Sequence, residues 1–180
     1  KYDSVTHVKS FFAEDSLPFK HRENIFNDFN TQVLLPNYLS RQGPCIARAD
    51  VNKDGREDLY VGGAKGQAGQ LLIQTSSGTF ASKAQPSIAK DSASEDVAAE
   101  FFDADGDGDM DLIVGSGGYE FNENDPLLQN RLYINDGSGN FTRKENALPK
   151  IFVSNGPVRA GDIDGDGDMD LFVGSRLVPG

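Results

Sequence analysis

Asp103-Ala104-Asp105-Gly106-Asp107-Gly108-Asp109-Met110-Asp111 runs directly into Leu112-Ile113-Val114-Gly115, and this stretch decides the fold. Five aspartates alternate with Ala, Gly, Gly and Met, and then three apolar residues stand unbroken before a glycine. The pattern occurs twice more. Asp50-Val51-Asn52-Lys53-Asp54-Gly55-Arg56-Glu57-Asp58 precedes Leu59-Tyr60-Val61-Gly62, and Asp162-Ile163-Asp164-Gly165-Asp166-Gly167-Asp168-Met169-Asp170 precedes Leu171-Phe172-Val173-Gly174. All three windows carry Asp at position 1, Asp or Asn at 3, Asp at 5, Gly at 6 and Asp at 9. They hold 14 of the 28 acidic residues, and outside them 14 acids face 15 bases. The net charge of −11 is therefore concentrated in three places and is not a general coating.

Carboxylates two residues apart repel, so a bare loop of this kind resists folding. A hard divalent cation removes the conflict. Oxygen ligands at positions 1, 3 and 5 with Gly at 6 are also how an EF-hand loop begins to wrap calcium, with a backbone carbonyl following at position 7. Here the closing carboxylate is Asp at 9 in place of Glu at 12, so the loop is shorter and no EF-hand is implied. The expected ligands are Asp50, Asn52, Asp54, Arg56 (through its carbonyl) and Asp58 in the first window. They are Asp103, Asp105, Asp107, Asp109 and Asp111 in the second, and Asp162, Asp164, Asp166, Asp168 and Asp170 in the third. The competing reading is a plain acidic turn, since Asp and Gly both favour turns. Three windows with the same five positions filled favour calcium, about three Ca²⁺ in all. Magnesium prefers to keep its waters. Zinc wants His or Cys, and the windows hold neither.

The windows begin at 50, 103 and 162, a period typical of propeller blades and other repeat arrays. Before each lies a short segment of small and apolar residues: Cys45-Ile46-Ala47, Val97-Ala98-Ala99 and Pro157-Val158-Arg159-Ala160. The unit reads as strand, acidic loop, strand, each apolar triplet being a strand buried on both faces. A second signature follows at an offset of 61, where Leu71 to Phe80 matches Leu132 to Phe141 around a Gly-containing turn. That supplies a third and fourth strand. Four antiparallel strands per repeat make a propeller blade, so the expected class is all-β, with about three blades present. Helical patterning is weak, the best candidate being Asn24–Phe29.

One partial propeller domain over 1–180 is expected: an N-terminal segment 1–44, a first repeat 45–96, a second 97–156 and the start of a third at 157–180. Within 1–44, Val5–Phe12 and Gln32–Leu35 are candidate strands. The second repeat carries an insertion at 117–130, where Tyr119 and Phe121 form the one aromatic cluster suited to a glycan or protein ligand. About three blades cannot close a ring. The chain opens on Lys1 without a signal-peptide pattern, and it reads as a mature or excised piece of something longer. Open blade edges invite self-association.

The acidic windows with their flanking strands resemble the FG-GAP/VCBS repeat of integrin-α-like β-propellers. Val61-Gly62-Gly63-Ala64 is similar to the Phe-Gly-Gly-Ala-Pro namesake, with Val for Phe and no Pro after Ala64. Phe19 to Asn24, Leu34-Leu35-Pro36 and Ser40 to Pro44 resemble secreted bacterial VCBS-repeat proteins related to cartilage acidic protein. The resemblance implies that calcium stiffens the outer turns and that loops on a propeller face recognise a partner.

Several function classes are disfavoured. Nucleic-acid binding wants clustered cations, not a net charge of −11. No apolar run approaches a membrane span. No nucleophile elbow, phosphate-binding loop or zinc-protease helix occurs. His7 and His21 stand alone, and Cys45 in an apolar strand reads as buried and inert. The expectation is an extracellular or bacterial cell-envelope module, non-catalytic, that binds a protein or glycan. The alternative is an accessory substrate-binding part of a larger secreted enzyme.

Overall fold

The computed structural model describes residues 17–30, 33–36, 38–41 and 43–177. Among the described residues, ten strands form three antiparallel sheets. The first holds β1 (Ile46–Ala49), β2 (Asp58–Val61), β3 (Gln70–Gln74) and β4 (Phe80–Lys83) in that order. The second repeats it with β5 (Glu95–Phe102), β6 (Asp111–Gly117), β7 (Arg131–Asn135) and β8 (Phe141–Arg143). The third pairs β9 (Ser154–Gly161) with β10 (Asp170–Leu177). The chain is thus all-β in the manner of a partial propeller, with two four-stranded blades and the first two strands of a third.

Register fixes the acidic windows. Ala49 pairs with Asp58, Phe102 with Asp111 and Gly161 with Asp170, so each window is the connection between the first two strands of its sheet. The β3–β4 and β7–β8 turns need a left-handed residue, supplied by Gly78 at φ 82° and by Gly137 and Gly139 at 76° and 72°. The first strands line up side by side, β1 against β5 and β5 against β9, as inner strands of neighbouring blades do.

The sheets stack face to face, and the two-residue period of a strand decides which side chains meet. In β6, Leu112 and Val114 face the first sheet and pack with Tyr60, Leu71 and Tyr133. Ile113, between them, faces the third sheet and packs with Leu132 and Val158. A central blade has a core on both sides, so its apolar triplet is unbroken. Tyr60, Ile113 and Phe172 hold equivalent positions. Tyr60 and Ile113 are fully buried against the next blade, whereas Phe172 is 58% exposed.

Three elements differ from expectation. The helix expected at Asn24–Phe29 is only a 3-10 turn at Asp28–Asn30, because Asp28 turns inward to accept from the Ser40 amide at 2.9 Å. An unexpected helix, α1 (Pro86–Lys90), joins the first two blades. It starts on Pro86 and is too short to show a helical period. Residues 33–36 form no strand, while Val5–Phe12 and Gln32 lie outside the described residues. No helix among the described residues is long and apolar enough to cross a membrane.

Candidate metal centre

Each acidic loop is built on one hydrogen-bond skeleton. The position-1 carboxylate accepts from the position-6 glycine amide: Gly55 to Asp50 at 2.7 Å, Gly108 to Asp103 at 3.0 Å and Gly167 to Asp162 at 3.1 Å. The position-5 carboxylate accepts from the position-7 amide: Arg56 to Asp54 at 2.9 Å, Asp109 to Asp107 at 2.8 Å and Asp168 to Asp166 at 2.9 Å. These bonds, with further ones such as Gly106 N to Asp103 at 2.8 Å and Gly165 N to Asp162 at 2.7 Å, curl the chain so that carboxylates converge.

The closing aspartate does more than end the loop. Asp58 is buried, and it accepts from Val51 N at 3.2 Å and from Gln74 N at 2.8 Å. Asp111 does the same with Ala104 N at 2.9 Å and Asn135 N at 2.8 Å. Asp170 accepts from Ile163 N at 3.0 Å. The first two therefore tie loop to third strand. Burial pushes the Asp58 and Asp111 carboxyls above their ordinary range, against the pull of those amides. At Asp50 burial also acts upward, but the amides of Gly55, Asp54, Asn52 and Lys53 outweigh it and hold the carboxyl low.

The donor set fits a hard cation in two loops directly. One oxygen each from Asp103, Asp105 and Asp111 lies within 4.8 Å of the others, and so does one each from Asp162, Asp164 and Asp166. Asp107, Asp168 and the Asp170 carboxylate stand outside these triads. Asp109 turns its carboxylate away to pair with Lys53 of the first loop, which links two blades and leaves its carbonyl for the position-7 role. The first loop differs. Asp50 Oδ1 and Asn52 Oδ1 both accept from Asp54 N at 3.1 Å, and the Arg56 guanidinium pairs with Asp54 at 2.5 Å. Its position 3 is the amide Asn52 and its Asp54 is paired with Arg56, so it gathers no triad of carboxylates.

One expectation fails. Tyr119 and Phe121 are not displayed for a ligand, being 6% and 5% exposed. Apolar surface in the insertion buries itself: Lys65 Nζ sits 4.3 Å over the Phe121 ring, and the hydrophilic Asn122–Asn124 stretch takes the solvent. Cys45 lies just ahead of β1 and is half-buried. Burial, then the nearby Asp96 charge, pushes its thiol up to about 12, with Arg131 opposing.

Sequence reasoning missed Asp96. It lies at the start of β5 and accepts from Tyr60 Oη at 2.8 Å and Gly63 N at 2.9 Å in the first blade, and from Arg131 Nη2 at 2.5 Å in its own. Asp96 and Arg131 are each 3% exposed. Burial opposes the charge on Arg131, but Asp96 more than compensates and raises its pKa. A lone acid before an apolar strand carries no periodic signal, so only the fold reveals it.

Stacked four-stranded sheets with acidic loops at one end define a propeller-type repeat protein, a class commonly used for binding or adhesion. Residues 50–114 and 117–173 match the FG-GAP-like repeat, and the chain belongs to that family. A comparison with curated proteins finds no match.

Proposed function

We propose that the chain is a calcium-stabilised, non-catalytic propeller module of the cell envelope or extracellular space that binds a protein or glycan partner. The convergence of oxygen atoms alone in the Asp103 and Asp162 loops carries this reading. Calcium takes six to eight oxygen ligands, and no nitrogen or sulfur donor enters either cluster. Asp103, Asp105 and Asp111 would hold one ion and Asp162, Asp164 and Asp166 another, with Asp50, Asn52 and Asp54 offering a third and weaker site. The ion would supply charge neutralisation where burial, and then the Asp105 and Asp107 charges, raise the Asp111 carboxyl. Three ions would take the net charge from −11 to about −5. Sites of extracellular modules bind at about 10⁻⁴–10⁻³ M, so they fill outside the cytosol. The likeness of 19–44 to secreted VCBS-repeat proteins supports the same location.

Thermal unfolding tests the calcium reading. An ion that binds only the folded loops stabilises by about 2.7 kcal/mol per site at a hundredfold excess over Kd. The melting temperature is expected to rise with added Ca²⁺ and fall in EGTA. A melting curve unmoved by either would overturn the proposal.

A further inference from the structure

Glu95 is 1% exposed and opens β5, where it pairs with Gly117 of β6. Neither of its Oε atoms meets a donor among the described residues, and the same holds for Oε2 of Glu120. Gly118, at φ 102°, lets the chain pass close by, since a Cβ there would stand 2.5 Å from Glu95 Oε2. Two residues later the Glu120 carboxyl comes within hydrogen-bond reach of Glu95. Ionised carboxylates only accept, so a hydrogen bond between the two requires one proton. Asn24 Nδ2 donates to Glu120 Oε1, which favours an ionised Glu120 and leaves its Oε2 for the proton of Glu95. Burial, then the charges of Glu120, Glu23 and Asp96, pushes the Glu95 carboxyl up to about 8. Burial raises the Glu120 carboxyl too, opposed by the Asn24 amide and the Lys65 charge.

The charged groups around the pair come from each neighbouring piece of chain. The N-terminal segment supplies Asp28 and Glu23, whose Oε1 lies 2.9 Å from His21 Nε2. The β2–β3 connection supplies Lys65, which covers the Phe121 ring and donates to the Glu120 carbonyl at 3.2 Å. β5 itself adds Asp96, which is paired with Arg131 of β7. Both cations are thus engaged with other groups. Only a proton keeps Glu95 and Glu120 from facing each other as like charges.

We propose that Glu95 and Glu120 share one proton, and that this proton latches the N-terminal segment over the first two blades. The segment's other bonds to the first blade include the Arg22 amide to Gln67 Oε1 at 2.8 Å and Gln67 Nε2 to the Lys20 carbonyl at 2.9 Å. When the proton leaves to solvent, two carboxylates repel beside Glu23. β5 is fixed by its ladder to β6, so the movable side gives way. Glu120, half-buried on the β6–β7 connection, turns toward water, and the Asn24 bond goes with it. A free Glu titrates near about 4.3, well below the docked Glu95. Docking is therefore strongest in acid, weakens by up to about tenfold per pH unit as pH rises, and levels off above about 8. The acidic loops lie roughly 23 Å away at the far end of β5, so no metal ligand takes part and the calcium reading stands or falls separately.

Hydrogen exchange of the Arg22 amide in the 180-residue chain, at fixed Ca²⁺ and corrected for intrinsic exchange, tests the latch. Its protection factor should fall by up to about tenfold per unit between about pH 6 and about pH 8, then stay level. In Glu95→Gln the amide donates to Glu120 at every pH, so the fall should vanish. That comparison also separates the pair from His21, which the variant leaves in place. Wild-type protection that does not change with pH would overturn the proposal, and so would a parallel fall in E95Q. If E95Q does not fold, the side-chain carboxyl carbon of Glu95 decides by NMR titration of the wild type. A midpoint near 8 supports the shared proton, and one near about 4.3 overturns it.

Discussion

Glycine at position 63 shows how a single hydrogen atom lets the β2–β3 connection fold tightly onto itself. A Cβ there would lie 1.9 Å from the Gln67 carbonyl oxygen, with Gly63 held from the other side by Asp96. Asp96 N also donates to the Gly63 carbonyl at 2.9 Å, so the backbone has nowhere to move. Gly63→Ala should cost about 3 kcal/mol, the upper end for overpacking, read as a lowered urea midpoint at unchanged slope. Gly62 beside it is nearly as constrained, its Cβ position lying 2.5 Å from Cys45 Sγ. The glycine pair of the family signature is thus a close-packing requirement. Cys45 offers a second measurement. Its folded pKa of about 12 lies above the ordinary ~8.5 of an unfolded thiol. The neutral thiol's stabilising share is complete below about pH 8.5 and is lost as pH rises toward 12. At pH 8.5, alkylation by iodoacetamide should run at least about a hundredfold slower in the folded protein than in urea. Equal rates would show that the thiolate is not suppressed.

Strands and loops were legible from the sequence to different degrees, for physical reasons. The paired strands around each loop follow from apolar runs bounded by Asp and Gly, and the register places Asp58, Asp111 and Asp170 where position 9 was expected. The three loops look alike in sequence but differ in charge. Lys53 and Arg56 occupy the first; Arg56 pairs with its own loop's Asp54, while Lys53 reaches across to Asp109 of the second loop. Burial was not readable: Tyr119 and Phe121 sit in a polar insertion, yet fold inward. Nor was Asp96–Arg131, because its partners lie 35 residues apart and obey no repeat. That pair joins β5 and β7 to the first blade's Tyr60 and Gly63. Arg131→Met would strand a buried carboxylate and should destabilise by about 3–5 kcal/mol. Adding Asp96→Asn removes the stranded charge and should recover part of that loss in a double-mutant cycle. If the double variant is no more stable than Arg131→Met alone, the two residues are not coupled as the geometry requires.

At the scale of the whole molecule, each blade covers the one before it, and the third has nothing on its far face among the described residues. Tyr60 and Ile113 are fully buried by the next sheet, while their equivalent Phe172 is 58% exposed. Ile163 and Met169 of the same hairpin are 73% and 44% exposed. The outer edge of β10 is unpaired among the described residues, so its backbone donors and acceptors also face outward. Closed propellers have four to eight blades, and two full sheets with one hairpin fall short of that. An apolar face beside an open strand edge is a template for another copy of the same chain. The 180-residue protein should therefore self-associate, with a sedimentation coefficient that rises with concentration. Phe172→Glu places a charge on that face without disturbing the buried Val158 beneath the other side of the sheet, and it should shift the protein toward monomer. Its melting temperature at low concentration should hardly change, because an exposed side chain contributes little to the fold. A wild-type protein that sediments as a monomer at every concentration would show that the blade face is shielded by some other means.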